Sequence, residues 1–223
     1  MLQDKRIVIT GAAGTLGQAA ATCAREKGAH VIGLDIVETP SLANTDEYYP
    51  VDLLDADATT GCIQNLGSID ALLNIAGGFA MGVSASDPSD AQWELMFRLN
   101  VTTMRNATRA AVPALRATTK AAIVNVGALG ALSGAADMSA YCCAKSTVMR
   151  LTESFSEELK NEGINVNAVL PSIIDTPPNR EAMPDADFAT WVSPAKLAEV
   201  MCFLASDAAS AVHGVLLPVK GLV

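Results

Sequence analysis

Short apolar runs alternate with longer segments of helical length along nearly all of the 223 residues. The short runs are rich in Val, Ile and Leu and are apolar on both faces, as strands inside a parallel sheet are. They lie at Arg6–Thr10, His30–Asp35, Ala71–Asn74, Ala121–Val126, 165–170 and 215–219. The helical segments between them lie at 15–27, 91–115, 139–161 and 194–206. This order predicts an α/β fold, a doubly wound Rossmann-type parallel sheet of about seven strands with helices on both faces.

Length and charge narrow the classes of protein. A chain of 223 residues fits one domain, residues 1–223, with room for a core. The formal net charge of −9 argues against a nucleic-acid partner, which requires a basic face. Apolar runs stay far below the roughly 20 residues that span a bilayer, so we expect no membrane partner. The first residues begin a strand and lack the layout of a secretory signal, and we expect a cytoplasmic protein.

The cysteines and histidines give no sign of a metal site. The five cysteines form no CxxC pair, and His30 and His213 are isolated from them in the sequence. We therefore predict no bound metal and reduced thiols that pack as small apolar side chains.

A glycine-rich turn follows the first predicted strand and opens the first predicted helix, at Gly11, Gly14 and Gly17. Glycines let the backbone turn sharply and approach a pyrophosphate, whose charge then lies at the helix N-terminus. Such a turn also occurs for packing reasons alone. Its position directly after strand one favours a dinucleotide site.

Asp35 ends the second predicted strand, where an acidic side chain can accept hydrogen bonds from both ribose hydroxyls. A 2′-phosphate at this place would meet a like charge. The sequence therefore predicts NAD(H) as the preferred cofactor, with NADP(H) less favoured. A solvated acid at a strand end is the alternative.

Tyr141 and Lys145 stand four residues apart on a predicted helix and therefore share one face. An apolar stripe at Val148, Leu151, Phe155 and Leu159 is expected to pack this helix on the sheet. The pair then lies near the carboxyl end of the preceding strand, where open α/β sheets bind ligands. A phenol has a pKa near 10, and we expect the nearby ammonium and a positive nicotinamide to lower it.

In order and spacing, the segments TGAAGTLG, LDI, VDLL, NIAG, LNV, YCCAK and PSIIDT resemble those of the short-chain dehydrogenase/reductases. The resemblance covers essentially the whole chain. It implies an NAD(P)-dependent oxidoreductase that transfers hydride between nicotinamide and a small carbonyl, alcohol or quinonoid substrate. It also implies a homodimer or homotetramer paired through segments 91–115 and 139–161.

The resemblance assigns roles to residues that match the family's motifs. Tyr141 is expected to exchange a proton with the substrate oxygen, Lys145 to hold the nicotinamide ribose, and Asn100 to support a water relay to the lysine. Together with these three, the residues expected to bind the cofactor are Gly11, Gly14, Thr15, Leu16, Gly17, Asp35, Ile36, Asp52, Leu53, Asn74, Ala76, Gly77, Pro171, Ile174 and Thr176. Among them, Asp52 is expected at the adenine and Thr176 at the carboxamide.

Two positions depart from the family pattern. The turn reads GxxGxxG, whereas the commonest short-chain form is GxxxGxG. The serine that the family carries 13 residues before the tyrosine is Ala128 in this chain, so the usual hydroxyl donor to the substrate oxygen is missing. Ser133 and Ser139 lie nearby; either is a substitute donor, or a turn and helix-start residue.

A site without this serine resembles the dihydropteridine reductases, a branch of the same family that reduces quinonoid dihydropterin with NADH. The turn at Gly11, the run from Ala76 to Phe79 and segment 170–191 point the same way. Asn100 and the ending SDAASAVHGVLLPV resemble the general bacterial members instead.

Segment 173–193 has no periodicity and carries three of the ten prolines, which predicts a functional loop. It contains Met183, Phe188 and Trp191, which we expect to cover the substrate; docking on the core is the alternative. Phe79 and Met81, which follow the fourth predicted strand, are expected to form another wall of the site, and Ala128 is also expected at the substrate. A dinucleotide-binding regulator without catalysis and a structural protein are the rival functions. The joint presence of Tyr141, Lys145 and Asn100 favours the enzyme.

Overall fold

A computed structural model of the chain describes residues 1–38, 40 and 42–223. Seven parallel strands form one sheet in the order β3-β2-β1-β4-β5-β6-β7. The strands are β1 (Arg6–Thr10), β2 (His30–Asp35), β3 (Glu47–Pro50), β4 (Ala71–Asn74), β5 (Ala121–Val126), β6 (Ile164–Pro171) and β7 (Leu216–Val219). The doubly wound parallel sheet predicted from the sequence is confirmed.

Helices cover both faces of the sheet. They are α1 (Thr15–Glu26), α2 (Ala56–Gln64), α3 (Ala91–Phe97), α4 (Thr103–Leu115), α5 (Ser139–Leu159), α6 (Pro177–Ala182) and α7 (Pro194–Leu204). Alternate residues of each buried strand point to opposite faces. Ile7 and Ile9 therefore pack with α1 and α7, whereas Val8 packs in a second core with α2, α4 and α5.

Two elements were not predicted, β3 and α2. The strand β3 lies at the edge of the sheet, pairs only with β2, and is half-buried to exposed along its length. It reads EYYP and so has no continuous apolar run. Helix α2 buries only Thr59 and Ile63, which is too little for an apolar stripe in the sequence.

The predicted helix at 91–115 divides into α3, a π turn at Arg98–Thr102, and α4. Turns of this kind are rare and often mark functional sites. The predicted loop at 173–193 is also more ordered than expected, since it contains α6 and a 3₁₀ turn at Phe188–Thr190.

The order of the strands fixes where a ligand can bind. The chain runs outward from β1 through β2 to β3, and then returns to the other side of β1 to form β4. The connections after β1 and β4 therefore leave the sheet on opposite faces and open a crevice at its carboxyl edge. Thr10 pairs with Asn74, and Asn74 with Asn125, so three strands end at the same level there.

Candidate active site

Two glycines of the turn after β1 are required by the chain's own packing. Gly11 has a φ of +67°, and a Cβ there would lie 2.9 Å from the Ala76 nitrogen. A Cβ at Gly17 would lie 2.1 Å from the Gly11 carbonyl oxygen. The packing explanation considered for the turn thus holds for these two positions.

Gly14 is different because the protein's own atoms leave room beside it. A Cβ there would meet only the Gly11 carbonyl oxygen, at an ordinary contact distance of 3.4 Å. Gly14 is the N-cap of α1, and no side chain caps this helix. The first amides of a helix have no partner within it, and they attract anions. Thr15, Leu16 and Gly17 form this first turn, directly beside the open space at Gly14.

Asp35 is half-buried at the end of β2 and faces the same turn. Its Oδ2 accepts a hydrogen bond from the Ala13 amide at 2.9 Å, and its Oδ1 accepts from the Ile36 amide at 2.8 Å and the Val37 amide at 3.3 Å. The carboxylate is therefore fixed in position and is not a freely solvated acid. A carboxylate has about four acceptor positions, so one remains for a ribose hydroxyl.

The chain beyond β2 and β3 bounds the crevice on one side. Ile36 is exposed at 67%, whereas Leu53 is buried. Asp52 is exposed, and its Oδ1 accepts from the Leu54 amide at 2.9 Å. The structure places all three beyond the carboxyl ends of their strands.

Thr10 connects the glycine turn to the chain after β4, a role that the sequence reasoning missed. Its hydroxyl oxygen accepts hydrogen bonds from the Ile75 amide at 3.0 Å and the Ala76 amide at 3.1 Å. The adjacent Asn74 is buried, and its Nδ2 donates to Asn125 Oδ1 at 2.8 Å. Asn74 therefore holds strands β4 and β5 together beneath the crevice.

Tyr141 and Lys145 lie in the first two turns of α5, beside the end of β5, as the spacing predicted. The Lys145 ammonium is buried and donates to the Val126 carbonyl oxygen at 2.8 Å. The Tyr141 ring is half-buried, and the Phe79 ring stands edge-on to it with centroids 4.8 Å apart. Both side chains therefore lie near the carboxyl edge of the sheet.

Burial controls the proton affinities of this pair. It raises the pKa of the Tyr141 phenol to about 12, and the neighbouring Cys142 thiol adds to the increase. Burial lowers the pKa of the Lys145 ammonium to about 8. The expectation that the lysine lowers the tyrosine pKa is wrong for the chain alone, because desolvation of the phenolate outweighs any such effect.

Asn100 lies in the π turn, and its side chain binds the chain after β4. Its Oδ1 accepts from the Gly78 amide at 3.2 Å, and its Nδ2 donates to the carbonyl oxygens of Gly78 and Met96, each at 3.0 Å. A Cβ at Gly77 would lie 2.7 Å from Asn100 Oδ1 and 3.6 Å from Lys145 Nζ, so both atoms lie beside Gly77. The amide positions this turn next to the lysine.

Ala128 is buried among apolar side chains, in contact with a cluster that includes Cys142, Met149 and Leu170. Its methyl group cannot donate a hydrogen bond. Ser133 is exposed after the 3₁₀ turn Leu129–Leu132, and Ser139 is the first residue of α5. Met138, and not Ser139, is the N-cap of α5, so the capping role considered for Ser139 is wrong.

The segment after β6 begins at the carboxyl edge of the sheet. Pro171 ends β6, Ile174 forms a bridge with Val192, and Thr176 caps α6 by accepting from the Asn179 amide at 3.4 Å. Arg180 pairs with Asp175 and lies 4.7 Å from the centre of the Phe188 ring.

The apolar residues of this segment divide into two groups. Trp191 is 7% exposed and packs against Phe188, with ring centroids 4.9 Å apart. Met183 and Phe188 are half-buried. The core-covering alternative therefore describes Trp191, whereas the other two keep exposed surface.

In the part of the chain that the structure describes, no cluster of His, Cys, Asp and Glu could hold a metal ion. All five cysteines lie within that part and are free thiols. Across residues 1–38, 40 and 42–223, every helix is either too short or too polar to cross a bilayer.

A family model described as short chain dehydrogenase matches residues 5–187. The chain belongs to the short-chain dehydrogenase/reductase family. A relative from Talaromyces verruculosus, the short-chain dehydrogenase/reductase cdmF, is 31% identical in sequence. The alignment covers 98% of this chain and 96% of the relative.

Solved structures share the fold over the whole chain. The aldohexose dehydrogenase of Thermoplasma acidophilum is 28% identical, with a TM-score of 0.90 over 99% of this chain and 94% of that one. A Beutenbergia cavernae protein, described as an NAD(P)-dependent gluconate 5-dehydrogenase with NADP at low occupancy, is 26% identical. Its TM-score is 0.90, and the match covers 99% of this chain and 96% of that one.

This short-chain dehydrogenase is thus an NAD(P)-dependent oxidoreductase that acts on small molecules. The regulator without catalysis and the structural protein are set aside. The comparisons give no specific support to the resemblance to dihydropteridine reductases.

Proposed function

We propose that this enzyme uses NADH to reduce a carbonyl or quinonoid acceptor whose conjugation stabilises the charge that develops on its oxygen. One observation carries the proposal. Tyr141 and Lys145 lie in the first two turns of α5 near the carboxyl edge of the sheet, while Ala128, whose side chain is a methyl group, stands where the family carries a hydroxyl donor. The oxygen of an acceptor bound here would therefore receive a hydrogen bond from the Tyr141 phenol, without the second hydroxyl donor that the family usually provides.

Reduced nicotinamide, when bound, supplies a hydride to the carbonyl carbon. Tyr141 donates the proton to the oxygen, and its raised pKa of about 12 keeps the phenol protonated at neutral pH. Lys145 holds the nicotinamide ribose and returns a proton to the tyrosine. The ammonium is suited to returning the proton because its lowered pKa, about 8, lets it lose and regain a proton near neutral pH.

Asn100 acts as a positioning residue. Its hydrogen bonds with oxygen and nitrogen partners go to the backbone of Gly78 and Met96, so its amide fixes the Gly77–Gly78 turn beside Lys145. A water relay from the lysine would pass along this turn.

We assign the pyrophosphate to the turn at Gly14 and the first amides of α1, and the adenosine to the crevice beside Asp35, Ile36 and Asp52. NADH is preferred because the remaining acceptor position of Asp35 suits a ribose hydroxyl, whereas a 2′-phosphate would meet the carboxylate. Ala76 and Gly77 line the nicotinamide side with Pro171, Ile174 and Thr176, and the buried Asn74 supports this side from within the sheet. The buried Leu53 supports the adenine pocket from below.

The acceptor lies between Phe79 and Ala128 on one side and Met183 and Phe188 on the other. Trp191 packs against Phe188 and supports it.

We also propose that the enzyme is a homodimer or homotetramer paired through α4 and α5, where Leu151 and Phe155 are only half-buried. Light scattering measures this directly, and a monomeric mass would contradict it.

NADH oxidation with a panel of acceptors tests the proposal. We expect turnover with quinones, vicinal diketones or quinonoid dihydropterin, and slow turnover with unactivated ketones. Efficient reduction of plain ketones, with none of the activated acceptors, would overturn it.

A further inference from the structure

Three large apolar side chains are exposed at the mouth of the site. Phe79 is 52% exposed, Met81 is 58% exposed and Leu132 is 59% exposed. Phe79 and Met81 follow β4, and Leu132 ends the 3₁₀ turn after β5. These two segments flank the N-terminal end of α5, which carries Tyr141. We call Phe79, Met81 and Leu132 the apolar rim.

Hydrogen bonds fix the backbone next to each residue of the rim. Gly78, before Phe79, is bound on both its amide and its carbonyl by Asn100. The Gly82 amide, after Met81, donates to the Asp137 carbonyl oxygen at 2.8 Å. The carbonyl oxygen of Ala131, before Leu132, accepts from Ser146 Oγ at 2.7 Å. The rim is therefore anchored to α5 and the π turn and is not a set of loose loop residues.

The rim is continuous with the site. Phe79 touches the Tyr141 ring while keeping half of its own surface exposed. Leu129 and Met138 are partly buried against the apolar cluster that includes Ala128, and Tyr141 packs against the same cluster. An apolar surface thus runs outward from the phenol. Exposed apolar patches of this kind mark ligand grooves or interfaces.

We infer that the acceptor carries an apolar body larger than its reacting carbonyl, and that this body lies on the rim while the carbonyl oxygen meets Tyr141. The contact of Phe79 with both the phenol and the solvent favours the substrate over a separate protein partner as the occupant. This inference rests on the proposed function and adds the size and polarity of the substrate to it.

A series of alkane-2,3-diones of increasing chain length tests the inference in the intact enzyme with saturating NADH. Their reacting group stays the same while their apolar body grows. A fully buried methylene contributes roughly four-fold in binding, so along a rim that stays partly open we expect kcat/KM to rise roughly two-fold per methylene from butanedione to octanedione.

Two rim variants show where the chain lies. Met81→Ser and Leu132→Ser change exposed side chains, so both are expected to fold. In each, the ratio of kcat/KM for octanedione to that for butanedione should fall at least about three-fold. Phe203→Ser is the matched control, because Phe203 is an exposed aromatic residue on α7, and its ratio should equal that of the wild type.

The outcomes separate the two claims. A flat or falling series in an enzyme that reduces butanedione overturns the inference and leaves the proposed function standing. A rising series that neither rim variant changes overturns it too, because the chain then lies elsewhere, such as against Met183 and Phe188. If no dione is reduced, the inference fails, and the quinones and quinonoid dihydropterin of the acceptor panel decide whether the proposed function fails as well.

Discussion

The ammonium of Lys145 is buried and donates to the carbonyl oxygen of Val126 at 2.8 Å. Burial lowers its pKa from 10.5 to about 8, so the free enzyme loses this charge at mildly alkaline pH. Because kcat/KM reports the ionisation of the free enzyme, the value for NADH should fall as pH rises through about 8. The Lys145 side chain is protonated below this pH and has lost its proton above it.

Initial rates at limiting NADH between about pH 6.5 and 9.5 measure this fall. Lys145→Arg is the control, because a guanidinium stays charged throughout the range and its profile should be flat, at a lower overall rate. A wild-type profile without a decrease above about pH 8 would contradict the assignment of the lysine.

The loss of the Tyr141 hydroxyl should abolish turnover and leave NADH bound. General acid catalysis contributes roughly 10²–10⁴-fold, so Tyr141→Phe should lower kcat by that factor with little change in Kd for NADH. Tyr49→Phe is the control, since Tyr49 lies on the edge strand β3 and its hydroxyl donates to Glu47. If Tyr141→Phe keeps more than about a tenth of the wild-type rate, another group is the acid.

In the turn after β1, Gly11 and Gly17 are required for packing, whereas Gly14 is the glycine proposed to leave room for the ligand. Gly14→Ala should fold normally, because its Cβ meets only an ordinary contact and its φ of −75° suits alanine. The added methyl should raise Kd for NADH by about ten-fold or more, measured by fluorescence titration. Gly61→Ala in α2, where a Cβ also has open space, should leave Kd unchanged. Unaltered affinity in Gly14→Ala would show that the phosphates bind elsewhere.

The charge on Asp35 should decide between the two cofactors. Asp35→Asn removes the charge and keeps the size of the side chain, so Kd for NADPH should fall relative to Kd for NADH. Glu26→Gln, at the other end of α1, is the control for a change in net charge. Tighter binding of NADPH than of NADH by the wild type would contradict the proposed preference for NADH.

The buried strands could be predicted from the sequence because burial on both faces leaves a continuous apolar run. Strand β1 was placed correctly at Arg6–Thr10 for this reason. The edge strand β3 could not be, since it has a neighbour on one side only and its tyrosines and glutamate keep contact with water. The π turn at Asn100 also leaves no mark in the sequence, because it depends on hydrogen bonds to Gly78, 22 residues away.

The site shows a similar division. The spacing of Tyr141 and Lys145 predicted one shared helix face, since four residues make about one helical turn. Their proton affinities could not be predicted, because they depend on how deeply each group is buried. The bonds from Asp35 to Ala13 and from Thr10 to Ala76 join segments far apart in the chain, and no local pattern shows them.

The proposed function requires that this site work without a second hydroxyl donor, because its acceptor is activated. Removing one such donor elsewhere costs roughly 10²–10³ in rate, so restoring it should help a substrate that needs it. Ala128→Ser should raise kcat/KM for cyclohexanone at least about five-fold and change the value for 2,3-butanedione by less than about two-fold.

Ala131→Ser is the matched control, because Ala131 is a buried alanine of the same apolar cluster and should give no such gain. The decisive measurement is therefore kcat/KM for both substrates in the wild type, Ala128→Ser and Ala131→Ser. We expect the wild type to reduce cyclohexanone slowly, and of the two variants only Ala128→Ser to accelerate this reaction. Efficient wild-type reduction of cyclohexanone, with no gain from Ala128→Ser, would contradict this expectation and show that another group, such as Ser133 or Ser139, already donates to the oxygen.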